Sequence, residues 1–141
     1  MDPDPKVRPD PAHLATMPLF ESLSRQELEA VAKLAKVVRS DADRRLVGAG
    51  TPGYSFFVIQ EGTAVVTRDG NELAQLGPGD FFGEIALLET ERRTASVIAE
   101  TPMRLIVMFQ REFRQMEREL PPVADRVRAA IRARLDNRPV G

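Results

Sequence analysis

Residues 81–96 read Phe81-Phe82-Gly83-Glu84-Ile85-Ala86-Leu87-Leu88-Glu89-Thr90-Glu91-Arg92-Arg93-Thr94-Ala95-Ser96, and they break a rhythm of short strands that runs on either side. A strand is expected to end at Gly83 and a short helix to begin at Glu84. Such a turn leaves backbone N–H groups unpaired and pointing outward, which suits an anion. Gly83 carries no side chain to hold a ligand away from the backbone. Arg93 follows the short helix at the start of the next strand. Its planar fork can reach back over the same cavity to a phosphate. Each piece alone has a plainer reading: Gly-Glu is a common turn, Arg-Arg a solvated loop, and a short apolar helix ordinary core.

Around this stretch, from about residue 37 to Met108, short apolar runs are broken by turn residues every six to twelve positions. That texture predicts an antiparallel sandwich or barrel. The expected strands are Val37–Arg39, Arg45–Val47, Ser55–Gln60, Ala64–Arg68, Glu72–Leu76, Thr94–Ala99 and Arg104–Met108. Gly50-Thr51-Pro52-Gly53 reads as a loop, Asp69-Gly70-Asn71 as a tight hairpin turn, and Gly77-Pro78-Gly79-Asp80 as another turn.

Helices are expected at both flanks. Ser24 reads as an N-cap and Glu27 completes a capping box, with Leu23 and Leu28 spaced as a hydrophobic staple. Leu28, Val31, Ala32 and Ala35 give one apolar stripe, predicting a helix that ends near Lys36. After Met108, Phe109, Phe113 and Met116 mark a short helix that Pro121-Pro122 interrupts. Val123, Val127, Ile131 and Leu135 then set a second helix from about Pro122 to Leu135. The first 16 residues hold four of the eleven prolines and read as a flexible tail. One domain over residues 17–136 follows, with a flexible tail at 137–141. The fold class is α+β: an antiparallel eight-stranded, jelly-roll-like β-roll with one N-terminal helix, a short phosphate-binding helix and two C-terminal helices.

Composition narrows the functions open to the chain. Its 141 residues are 43% hydrophobic and 29% charged, with a net charge of -1 from 20 basic and 21 acidic residues. No basic excess draws it to nucleic acid or an anionic membrane by itself. There is no cysteine, and His13 in the tail is the single histidine, so neither thiol chemistry nor an imidazole metal cluster is on offer. No apolar run approaches the ~20 residues of a membrane helix, and the N-terminus resembles no signal peptide, so a cytoplasmic location is expected.

Phe81–Ser96 resembles the phosphate-binding cassette of the cyclic nucleotide-binding domain family, which includes catabolite-activator-type regulators, kinase regulatory segments and nucleotide-gated channels. Pro18-Leu19-Phe20 before a capped helix, Gly62 after an apolar strand, and the Gly77-x-Gly79-Asp80-Phe81 turn are similar to the family as well. The likeness covers roughly residues 17–136. It implies that Glu84 accepts from the ribose 2′-hydroxyl and that Arg93 binds the exocyclic phosphate oxygens. The backbone amides of Ile85 and Ala86 share that phosphate, and Thr94 offers a hydroxyl to the phosphate or to a guanine edge. Gly83, Ala95, Phe82, Val66, Leu73 and Leu76 complete the pocket around ribose and base, while Arg92 points to solvent.

The resemblance implies a signal-transduction receptor with cAMP ahead of cGMP as ligand, no enzymatic activity and no cofactor beyond that ligand. It also implies that the C-terminal helix closes over the base as a lid, through Arg128, Ile131 or Leu135. The alternative is a degenerate fold that serves as a protein-interaction module without ligand. The effector is expected to be a protein reached in trans or in a longer chain. The chain itself is expected to be a monomer or a weak homodimer through its last helix.

Overall fold

The computed structural model describes residues 2–3, 8–48, 55–83 and 95–136. Nine strands are present there: β1 (Asp2–Pro3), β2 (Lys36–Ser40), β3 (Arg45–Val47), β4 (Ser55–Glu61), β5 (Ala64–Arg68), β6 (Asn71–Leu76), β7 (Phe81–Phe82), β8 (Ser96–Ala99) and β9 (Met103–Phe109). The helices are α1 (Pro11–Leu14), α2 (Arg25–Leu34), α3 (Gln110–Glu119) and α4 (Pro121–Asp136), with a 3-10 turn at Pro18–Phe20. Every strand pair is antiparallel. One sheet, A, has the order β1-β2-β9-β4-β7; the other, B, has the order β3-β8-β5-β6. Apart from the two-residue β1, these are the eight strands expected of the roll. The expected phosphate-binding helix and the Gly50–Gly53 loop lie outside the described residues.

The centre of sheet A is buried on both faces, which explains why residues 56–59 of β4 and 105–108 of β9 are unbroken apolar runs. Phe56, Val58, Ile106 and Met108 point to a core shared with the helices. Their neighbours Phe57, Ile59, Leu105 and Val107 point into the roll, where Val38, Ala64, Val66, Leu76, Val97 and Ala99 meet them from the surrounding strands. The period-2 geometry of a strand thus feeds two cores from one ribbon of chain.

The local signals act as their chemistry requires. Ser24 Oγ accepts from the Glu27 backbone N–H at 3.2 Å, and Glu27 Oε1 accepts from the Ser24 backbone N–H at 2.9 Å. Leu23 and Leu28 are buried in the helix-side core, as a staple should be. Helix α2 stops at Leu34, slightly before the expected Lys36, because Ala35 turns extended (ψ 164) to lead into β2. Asp69 and Gly70 both have positive φ, 53° and 79°, the geometry of a type I′ hairpin between β5 and β6.

Two expectations need correction. The N-terminal tail is docked from Arg8 onward rather than flexible to residue 16. Asp10 caps α1 by accepting from the Ala12 N–H, Pro11 occupies the first helical position, Leu14 is fully buried, and Arg8 Nη1 donates to the Ala35 carbonyl at 3.0 Å. Proline density reads as disorder, yet a proline directly after an aspartate cap starts a helix. Phe109 is the second correction. It ends β9 instead of joining the helical stripe, stands 38% exposed, and lies beneath the Lys36 ammonium. Only Phe113 and Met116 face inward from α3.

Candidate functional site

The interior of the roll, its chamber, is a packed apolar cluster that takes in Phe82 and Ala95 from the two ends of the segment that the sequence singles out. Val66, Leu76 and Phe82 are buried in its core, and Leu73 and Ala95 pack against it partly buried. Leu73 reaches it because of a bulge. The β5–β6 register pairs Val66 with Ala74 but Thr67 with Glu72, leaving Leu73 as the extra residue. The irregularity turns both Leu73 and Ala74 toward the chamber, where strict alternation would admit one.

Phe82 is held by stacking. Its ring lies 4.8 Å from that of Phe57 with planes 13° apart, and the two residues are backbone partners across β4 and β7. Phe81, one residue earlier, faces the opposite core and meets Phe56 at 5.7 Å. Phe57 is a wall residue that the sequence reading missed. Its signal is present as alternation within Phe56-Phe57-Val58-Ile59, set against the Phe81-Phe82 pair.

The approach to the site is fixed by a strapped turn. Asp80 Oδ2 accepts from the Gly77 N–H at 2.8 Å, Gly79 N–H donates to the Ile59 carbonyl, and Ile59 N–H donates to the Asp80 carbonyl. This ties the turn to β4 and delivers the chain into β7. Gly83 follows with φ 78°, a conformation that side chains rarely adopt, so glycine is needed there for the backbone's direction. Glu84, Ile85, Ala86, Arg93 and Thr94, and with them Arg92, lie outside the described residues.

Ile131 is not brought to this chamber. It is fully buried in the helix-side core with Val123, Ala124 and Val127 of α4, among residues of α1, α2 and the 3-10 turn. Arg128 is engaged elsewhere too, pairing with Glu117 of α3 and with Asp125 at 2.9 Å, its guanidinium over the Phe113 ring at 5.4 Å. On the far side of α4, Arg126 pairs with Glu27 of α2.

Among the described residues, no group of histidine, cysteine or acidic side chains could hold a metal ion, and no helix is long and apolar enough to cross a membrane. The described lining offers dispersion and a stacked ring but no charge. Such a surface suits the flat, apolar face of a ligand.

The profile of the family described as cyclic nucleotide-binding domain matches residues 37–119. Glutaminase 2 of Bradyrhizobium diazoefficiens is 37% identical over 126 residues, a stretch that is 86% of this chain and 20% of that protein. The chain therefore spans about a fifth of the length of that relative. The crystal structure of the N-terminal domain of a Streptomyces coelicolor A3(2) transcriptional regulator superposes with a TM-score of 0.76 at 28% identity, covering 89% of this chain and 93% of that one. The regulatory domain of Toxoplasma gondii PKA, crystallised with cAMP, superposes with a TM-score of 0.71 at 25% identity, covering 82% of this chain and 45% of that one.

Proposed function

The chain belongs to the cyclic nucleotide-binding domain family, and from that membership we propose that it is a receptor module for cAMP, with cGMP the weaker ligand. The observation that carries this reading is the apolar cluster of Val66, Leu73, Leu76 and Phe82, together with Gly83 at φ 78°, the residue that directly precedes Glu84–Arg93 in the sequence. The base and ribose lie against the chamber. The cyclic phosphodiester bears one negative charge, and leaving it buried without a partner is costly. Arg93 and the amides of Ile85 and Ala86 supply that partner, and Glu84 accepts from the ribose 2′-hydroxyl. The PKA regulatory domain crystallised with cAMP supports the choice of cAMP.

Binding is reported by α4, which leaves the helix-side core to cover the base. The module turns over no ligand: Glu84 is taken by the ribose rather than serving as a general base. Its output is a protein domain elsewhere, in the same chain or a partner. The glutaminase relative, in which the matched stretch is a fifth of the length, supports an enzyme in that role. The cysteine-free composition fits a reducing cytoplasm.

Calorimetric titration with cAMP and cGMP tests the proposal. Saturable binding of cAMP, tighter than cGMP, with no AMP on chromatography after prolonged incubation, is the expected result. Absence of heat with both nucleotides defeats it.

A further inference from the structure

Helix α4 is held down along both flanks by charge, over a buried apolar face of Val123, Ala124, Val127 and Ile131. On one flank Arg126 pairs with Glu27, the residue that also closes the capping box of α2. On the other, Arg128 pairs with Glu117 of α3 and lies over the Phe113 ring. These side chains are between 19% and 48% exposed, so the bonds are reachable by water. Where Val127 meets Phe20 and Val31 over the outer face of sheet A at Phe56, Val58 and Ile106, there is a void of about 10 Å³ lined by apolar side chains. A void of this size is at the lower limit for one water, and an apolar one stays dry, so the wall atoms forgo contacts there. The buried residues of α4 belong to the helix-side core, and none that the structure describes belongs to the chamber.

We infer that the Arg126–Glu27 and Arg128–Glu117 pairs are a double latch that holds α4 off the nucleotide chamber and sets the threshold for its closure. The inference rests on the receptor reading above, in which α4 must leave the helix-side core to cover the base. A ligand that needs the minor arrangement binds with an apparent affinity reduced by the fraction of molecules in it. Anything that stabilises the parked helix weakens binding, and anything that unlatches it tightens binding. The two latches lie on opposite flanks of one helix and share no partner, so their effects add in free energy.

The test uses Glu27→Gln and Glu117→Gln, singly and together. Glutamine at position 27 still serves the capping box, so α2 keeps its start while the ion pair is lost. Partly exposed pairs contribute modestly, so each variant is expected to tighten cAMP binding about 1.4- to 5-fold, and the double variant about 2- to 25-fold. Arg126→Gln should tighten binding as Glu27→Gln does, and combining those two should add nothing further. Thermal melts identify any variant that merely loses fold. Equal or weaker cAMP binding by the folded double variant overturns the latch.

Amide hydrogen exchange of residues 121–136 without nucleotide keeps the two readings separate. If no protein in the series binds cAMP, the receptor reading fails by itself. Faster exchange in the double variant then still supports the latch, and unchanged exchange overturns it.

Discussion

Replacing Gly62 by alanine is expected to damage the roll far more than the same change at Gly70, although both glycines have positive φ. Gly62 (φ 94°) lies where the chain leaves β4 in sheet A for β5 in sheet B. It sits against the segment where β8 of sheet B gives way to β9 of sheet A, and Thr63 N–H donates to Thr101 Oγ1 at 3.0 Å across the same contact. A Cβ on Gly62 would stand 2.5 Å from the Pro102 carbonyl oxygen and 2.9 Å from both Met103 Cγ and Thr101 Oγ1. The side-chain atoms can rotate away; the backbone oxygen cannot. At Gly70 (φ 79°) an added Cβ meets nothing within 4 Å.

The left-handed conformation costs alanine roughly 1–2 kcal/mol at either site. Relief of the overlap at Gly62 adds about 1–3 kcal/mol, the usual range for forcing a methyl group into filled space. Alanine also narrows the unfolded ensemble, by a similar amount at both positions, so that contribution cancels in the comparison. Gly62→Ala should therefore cost about 2–5 kcal/mol and Gly70→Ala about 1–2 kcal/mol. Urea denaturation followed by circular dichroism reads this as a lower midpoint at unchanged slope. Equal losses in the two variants would refute the argument that the two crossovers press on each other at Gly62.

Arg93→Ala should weaken cAMP binding by roughly 30-fold or more, because losing one partner of a buried charge costs on the order of 2–5 kcal/mol, whereas Arg92→Ala should change the titration little. Phe82→Ala, which empties a buried and stacked position, should cost about 3–5 kcal/mol; Phe109→Ala, 38% exposed at the end of β9 and beneath Lys36, should cost less, about 1–2 kcal/mol by the same denaturation assay. Ser24→Ala removes the α2 cap and should cost about 0.5–2 kcal/mol. The hydrogen bond from the Ser24 backbone, with help from Arg126, holds the Glu27 carboxyl below its ordinary value. Its contribution is thus fully present above the unfolded carboxyl pKa and is lost as pH falls through the lower folded value. Melts of the protein and of Glu27→Gln should accordingly differ at neutral pH and converge under acid.

Much of this molecule can be read from residues that act locally. Ser24 and Glu27 announce a helix start, and Asp69-Gly70 a hairpin, because each satisfies its own backbone within a few residues. The strand texture between residues 37 and 108 follows from alternation and turn chemistry. Legibility fails where the partner is distant in sequence. Leu14 has an address only because α2 covers it, and Pro9 to Pro11 look loose until that cover exists. The bulge that admits Leu73 depends on how β6 registers against β5, which composition does not encode. The Arg126–Glu27 and Arg128–Glu117 pairs join residues 99 and 11 positions apart, and nothing local to α4 announces them. Ile131 shows the same limit. Its apolar stripe says that it is buried and does not say under what.

Within sheet A, neighbouring residues of one dipeptide answer to different neighbourhoods: Phe57 and Phe82 to the chamber, Phe56 and Phe81 to the helices. The partition between the two compartments is one strand thick. A side chain that shifts on one side carries its peptide plane with it, and that plane is the footing of the side chain opposite. Neither compartment can be resized in isolation, and sequence drift in one constrains what the other tolerates.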